Sequence, residues 1–390
     1  MEGLESIAAY IPRHTRKLLK QIMATKTPRK AKTGVLDLST TASLWGTVGS
    51  DENYNTRPDA KATQLREQLA MYTELSPNQI CVGNDAVGLV DLILRTFATP
   101  NQDRVLCFGA TNTAVKHWAR MSALEVEELP LEVNLELPIC KPDQYFSEQT
   151  KIMYIENPNQ LIGKYFAQYD IVDWISKFDG IVIIDESSID YARDKSLVEL
   201  LGHFNNVIIL QSFSKAWGLA GLPVGMAYGH PELIKVLELL KPPFAVNVMA
   251  QRMATKALYV ADQKERIVQA TIEERENVKQ ALMKLPVIKN VVDSESNTLL
   301  IQVENASMLI HYLRKEEYIL VRDVSELVGM EQCLQITIGQ PIDNVRLIKA
   351  FKDMPGKTSP GRVFIRNIAR TLKQASSYLG VFKNILGGGV

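Results

Sequence analysis

Apolar residues recur along this chain with two periods, and their alternation predicts its architecture. Ile181-Val182-Ile183-Ile184 is an unbroken β-branched run, the pattern of a strand buried on both faces of a parallel sheet. That run lies in a strand at 180–185, and further strands are predicted at 80–82, 104–108, 124–129, 151–155, 206–210 and 224–228. Between them the apolar spacing changes to three or four residues, which predicts helices at 87–97, 113–122, 168–177, 195–202 and 231–240. Leu65, Leu69 and Tyr72 place a further helix over 62–72. Alternation of this kind implies an α/β layered domain around a mostly parallel sheet. In such sheets ligands gather at the carboxyl ends of the strands.

A second pattern follows. Residues 245–285 are strongly helical, including a charged helix over 262–285. Beyond them lie strands near 288–293, 298–303, 318–322 and 333–338, with helices at 305–314 and 342–352, a smaller α+β unit. The expected organisation is a basic extension over 1–35, a large α/β domain over 36–245 with an N-terminal arm at 36–50, a small domain over 246–354, and a C-terminal helix over 355–390. In that last segment Ile365, Ile368, Leu372, Ala375, Leu379, Phe382 and Leu386 step along one helical face.

Composition adds little except at the ends. The chain has 390 residues, 46% hydrophobic and 23% charged, with zero net charge, the profile of a globular protein without a bulk pull towards nucleic acid. Residues 1–33 nevertheless carry eight Lys/Arg against two Glu, and residues 355–390 carry six Lys/Arg and no acid. Two readings of the basic C-terminal helix stand: docking on the chain's own acidic body, or lying on an anionic membrane surface or a partner. Cys81, Cys107, Cys140 and Cys333 are widely spaced, form no CxxC, and read as buried thiols of a cytoplasmic protein rather than metal ligands.

The chemistry concentrates where strands end. Val207 to Leu210 leads into Ser212-Phe213-Ser214-Lys215, and Gly218-Leu219-Ala220-Gly221 follows. A lysine between a strand end and a glycine-rich turn is placed for partial burial, which frees the neutral, nucleophilic amine for Schiff-base chemistry. The competing reading is a lysine that ends a strand and reaches solvent. Asp185 ends the buried run at 181–184, where it is either a site carboxylate or a turn residue. Gly83-Asn84-Asp85-Ala86 opens a helix whose first N–H groups suit a phosphate.

Together these stretches resemble a known family. Ser-x-Ser-Lys-Ala-x-Gly-Leu-Ala-Gly-Leu, from Ser212 to Leu222, resembles the lysine motif of pyridoxal-phosphate aminotransferases, the histidinol-phosphate aminotransferase group in particular. Asp185-Glu186-Ser187-Ser188 is similar to the family's Asp-Glu-Ala-Tyr, 30 residues before the lysine. Glu156 to Gly163 is similar to its Asn-Pro-Asn-Asn-Pro-Thr-Gly loop. Val321-Arg322-Asp323 followed by Cys333 to Gly339 resembles its Val-Arg-Asp…Cys-Leu-Arg-Ile-Thr-Val-Gly blocks. The likeness runs from about Leu36 to Met354 with its blocks in order.

The resemblance implies a fold-type-I transferase, homodimeric, moving an amino group between a small-molecule amino donor and a 2-oxo acid on pyridoxal 5'-phosphate. It implies that Lys215 holds the cofactor as an internal aldimine and that Asp185 pairs with the ring nitrogen. Asp85, Ala86, Ser212 and Ser214 would hold the phosphate, with Arg57 as a substitute cation. Asn112, Gln160 and Ser188 align with other cofactor contacts, and Trp45, Arg322 and Gln335 with substrate contacts. Several identities depart from the family. Pro223 replaces a phosphate-binding arginine, Gln335 the arginine that grips the substrate carboxylate, Gln160 an asparagine, and Ser188, Arg57 and Asn112 aromatic residues. Glutamine cannot supply the charge of a bidentate arginine. A non-catalytic binding or scaffold descendant, and a decarboxylase or oxidase outcome, are the alternatives those departures raise.

Overall fold

The computed structural model describes residues 5–24, 38, 41–192, 196–327 and 329–354. The basic linker before residue 38 and the C-terminal helix expected over 355–390 lie outside the described residues. The large layer contains α1 (Arg13–Ala24), α2 (Thr63–Thr73), β1 (Ile80–Gly83), α3 (Ala86–Phe97), β2 (Arg104–Phe108), α4 (Thr113–Met121), β3 (Glu125–Leu129), the short α5 (Pro142–Tyr145) and β4 (Thr150–Glu156). It continues through α6 (Gln168–Ser176), β5 (Ile181–Asp185), β6 (Val207–Ser212), β7 (Gly225–Gly229) and α7 (Pro231–Leu240).

Seven strands form one sheet in the order β1-β7-β6-β5-β4-β2-β3. All pairings from β6 to β3 are parallel, and β7 alone runs against its two neighbours. The apolar runs explain this sheet directly. Successive side chains point to opposite faces, and both faces are covered. Val182 and Ile184 face a core shared with Leu65 and Leu69 of α2 and Ile171 and Trp174 of α6. Ile181 and Ile183 face a second core shared with α3, α4 and α7. Each buried Ile, Leu or Val contributes about 1.5–3 kcal/mol relative to exposure.

The N-terminal segment differs from the expected extension. Ile7, Ile11 and Leu19 are fully buried in that second core, and the Thr15 hydroxyl donates to the Thr96 carbonyl at 2.9 Å. The apolar face of α1 finds a partner in α7 and α3, so the segment is built into the large layer.

The chain then passes through α8 (Val248–Leu258), α9 (Ala261–Leu282), β8 (Ile288–Val291), β9 (Thr298–Val303), α10 (Ala306–Lys315), β10 (Arg322–Asp323), β11 (Cys333–Thr337) and α11 (Pro341–Lys352). A four-stranded antiparallel sheet, β10-β11-β9-β8, packs its own core against α10 and α11. The division drawn at residue 246 falls too early, because Ala250, Ala254 and Leu258 of α8 pack into the large core with Leu65 and Leu69. Two other elements are shorter than their patterns. The helix expected at 195–202 is a 3-10 turn over Leu197–Gly202, capped by the Ser196 hydroxyl. The strand expected at 318–322 is reduced to Arg322–Asp323, since Tyr318 adopts a positive φ of 56° and turns the chain. Lys264 of α9 is buried on Asp190 at 2.7 Å and lies over the Trp217 ring, which fixes the long helix to the loops beside the large sheet. No helix among the described residues is long and apolar enough to cross a membrane.

Candidate active site

The carboxyl ends of β4, β5 and β6 place their terminal residues side by side. Glu156 and Asp185 are register partners on adjacent strands. Asp185 accepts a hydrogen bond from the Tyr154 hydroxyl at 2.6 Å and another from the Ser187 N–H at 2.9 Å. Lys215 lies just beyond β6 in a turn closed by the Gly218 N–H on its carbonyl, at 2.9 Å. Gly218 sits at φ 68°, where a side chain would be strained. The Lys215 Nζ donates to the Ser188 hydroxyl at 2.7 Å. Burial pulls its proton affinity below the usual lysine range, against the opposing carboxylates of Asp185, Glu156, Asp85 and Asp190.

A flat cradle lies next to this group. Gly83, Gly225 and Ser212 stand level across β1, β7 and β6. A Cβ on Gly225 would come within 2.3 Å of the Asp85 carbonyl carbon, so only glycine admits the N-terminus of α3 this close to the sheet. Asp85 caps α3 by accepting from the Ala86 N–H at 2.8 Å, and burial raises its proton affinity. The N–H groups of Val87 and Gly88 have no partner within the helix, as in any first helical turn. The Ser212 hydroxyl accepts the Ser214 N–H at 3.1 Å.

Above Lys215 opens a cavity of about 740 Å³, lined by Gln160, Tyr318, Arg322, Gln335 and Arg346 among others. Gln335 is buried and its amide nitrogen is engaged. It donates to the carbonyls of Gln160 at 2.6 Å and Leu161 at 3.1 Å, while its oxygen accepts from Arg322 at 3.4 Å. The expected site residues therefore divide. Lys215, Gln160, Arg322 and Gln335 line the cavity; Asp85, Ala86 and Ser212 border the cradle, with the Ser214 N–H on Ser212; Asp185 faces Lys215, and Ser188 accepts its amine. Asn112 is close by but turned to local work: its side chain caps α4 through the Ala114 N–H, and its own N–H donates to Glu156. Trp45 and Arg57 are exposed. The Trp45 N–H donates to the Ser43 hydroxyl within the arm, while Arg57 reaches Thr41 and lies over the Phe244 ring.

Two members of the cluster were not among the expected site residues, although Glu156 opens one of the matched motifs. Tyr154 is fully buried between Asp185 and Glu156. Glu156 is buried and accepts N–H bonds from Asn112 at 3.1 Å and Gln160 at 3.3 Å. Burial first, and the Asp185 charge second, push its carboxyl up to about 7. The signal was present in the sequence: an acid closes the apolar run Ile152 to Ile155, and an acid at the end of a buried strand needs donors.

Comparison with known proteins agrees with the motifs. A profile of the family described as aminotransferase class I and II matches residues 20–351. The histidinol-phosphate aminotransferase of Christiangramia forsetii is 33% identical over 305 residues, covering 78% of this chain and 87% of that one. The crystal structure of the histidinol-phosphate aminotransferase from Clostridium acetobutylicum superposes with a TM-score of 0.71 at 20% identity, over 77% of this chain and 90% of that one. The Sinorhizobium meliloti histidinol-phosphate aminotransferase, solved in complex with pyridoxal-5'-phosphate, gives 0.70 at 18% identity, over 76% and 82%. With the lysine turn, the acid-ended strands and the two sheets in the same chain, the protein belongs to the aminotransferase class I and II family, in its histidinol-phosphate aminotransferase group.

Proposed function

We propose that this chain transfers an amino group between a small-molecule amino donor and a 2-oxo acid, using pyridoxal 5'-phosphate held through Lys215. The observation that carries this reading is Lys215 itself, which lines a cavity, holds its amine on Ser188, has its proton affinity lowered by burial and is opposed by the Asp185 carboxylate. The residues present fit the cofactor at its aldehyde and ring-nitrogen ends. Its phosphate would be met by neutral donors: the α3 N-terminus across Gly225, Ser212 and Ser214. Pro223 adds neither charge nor donor there.

When bound, the cofactor supplies an electron sink for the substrate's α-carbon. The protein's own groups do the rest. Asp185, oriented by Tyr154 and Ser187, would hold the ring nitrogen with its carboxylate. The Lys215 amine would hold the cofactor's aldehyde end and would serve as the acid–base group for the proton at the substrate's α-carbon. Ser188 holds the Lys215 Nζ, where the family has a tyrosine. Arg322, at the cavity wall, is the cation for an anionic group of the substrate. Four free, buried thiols support a cytoplasmic location.

A second reading, a fold kept for binding without turnover, is favoured by Pro223 and by four carboxylates, Asp185, Glu156, Asp85 and Asp190, facing one lysine. Absorbance decides between them. Added pyridoxal phosphate should give a visible band that shifts with amino donors, and Lys215→Ala should abolish the band while leaving the fold intact. A wild-type protein with no band supports the second reading. A Lys215→Ala protein that keeps the band removes Lys215 from its role.

A further inference from the structure

We propose that Tyr154 and Glu156 are positioning residues of this site: with Asp185 they form one hydrogen-bonded acidic row whose proton distribution sets the charge state of Lys215. The inference rests on Lys215 being the reactive amine, as read above. Tyr154 has one hydroxyl proton and two carboxylate neighbours. It donates to Asp185 at 2.6 Å, and its oxygen lies 3.4 Å from Glu156 Oε1. The two acids stand on adjacent strands at the same register. Glu156 is only 4% exposed and accepts the N–H groups of Asn112 and Gln160. A buried acid in that position costs stability, since an apolar side chain would fill the strand end without the desolvation penalty.

Facing Glu156 are Tyr154 on its own strand, Asp185 on β5, Lys215 beyond β6 and Cys107 on β2, and Arg322 lines a small pocket beside it. Lys215, which Asp85 and Asp190 also face, is opposed by both acids of the row, so each negative charge there favours its protonated form. Glu156 also accepts the backbone N–H groups of Asn112, the cap of α4, and of Gln160, in the loop after β4 at the cavity wall. Its ionised form strengthens both contacts at once, since hydrogen bonds to a charged acceptor are the stronger kind.

The test reads Lys215 directly and needs no cofactor. The pH midpoint for acetylation of Lys215 by acetic anhydride is measured by peptide mass spectrometry in the wild type, Glu156→Gln and Tyr154→Phe. Removing the Glu156 charge should lower the midpoint by roughly half a pH unit or more. Tyr154→Phe should raise it, because the Asp185 charge is no longer shared with a hydroxyl. A purely structural role would change the melting temperature and leave the midpoint where it was. An unchanged midpoint in folded Glu156→Gln overturns the proposal. If that variant does not fold, Tyr154→Phe, which loses one oxygen atom, decides by the same criterion. Failure of the transaminase reading is seen separately, as the absence of a visible band with pyridoxal phosphate in the wild type.

Discussion

Gln335 occupies the place where the family keeps an arginine, and its contacts show what the glutamine does instead. Its amide holds the loop at Gln160 and Leu161 against the small sheet, so little is left for a substrate carboxylate. Gln335→Arg would put a cation back at the cavity wall. If α-amino acids still bind in the family pose, affinity measured by spectral titration should rise by about 1.5–3 kcal/mol, the worth of a hydrogen bond to a charged group. No gain with any amino acid would mean that the pose has been abandoned. Glu186 gives a prediction in stability. It is buried on the Leu197 N–H, Ser196 and Gln211, and burial pushes its carboxyl from 4.5 up to about 7. A raised acid favours folding fully below the unfolded value, and that contribution fades as pH climbs through about 7. Denaturation between pH 4.5 and 7 should therefore show stability falling with pH, at up to about 1.4 kcal/mol per unit for this one group. Glu186→Gln should flatten the slope, and an unchanged slope would refute the assignment.

At the scale of elements, the site depends on how closely α3 approaches β7. Gly225 lets the helix N-terminus lie against the strand, and the Gly83–Gly225–Ser212 row keeps the floor of the cradle flat. Gly225→Ala must push α3 away, because its new methyl group meets backbone rather than a flexible side chain. The expected cost is about 1–3 kcal/mol in urea unfolding, the usual range for overpacking. Retention of pyridoxal phosphate should weaken alongside it. A variant as stable as wild type would show that the helix has room to move. The central strands β2, β4, β5 and β6 were legible in advance, because each is an apolar run buried on both faces. The 3-10 turn at Leu197–Gly202 and the two-residue β10 were not, since periodicity alone does not reveal a capping serine or a left-handed residue at Tyr318.

For the whole molecule, the arm over 41–57 is the part that one chain leaves unfinished. Leu44, Trp45 and Val48 stand exposed, Trp45 completely. Burying a side chain of that size against a second copy would contribute several times the thermal energy. We propose a homodimer in which this arm and Arg57 serve the neighbouring site, in keeping with two-fold symmetry as the commonest closed assembly. Sedimentation at micromolar concentration should give a dimer, and Trp45→Ala should weaken it. A wild-type monomer under those conditions would rule the arrangement out.

The sequence by itself determined the sheet-and-helix order, the lysine turn and Asp185, because each is written in a local pattern: a run, a period or a contiguous motif. Only the tertiary structure decided that α1 and α8 belong to the large core, that Gln335 clamps a loop, and that Tyr154, Glu156 and Asp185 form one row. The physical reason is range. Burial periodicity is set by neighbours a few residues apart, whereas a side chain's partner and its proton affinity are set by strands that meet only when the sheet closes. Glu156 and Asp185 are 29 positions apart in the chain and become direct neighbours through parallel register alone.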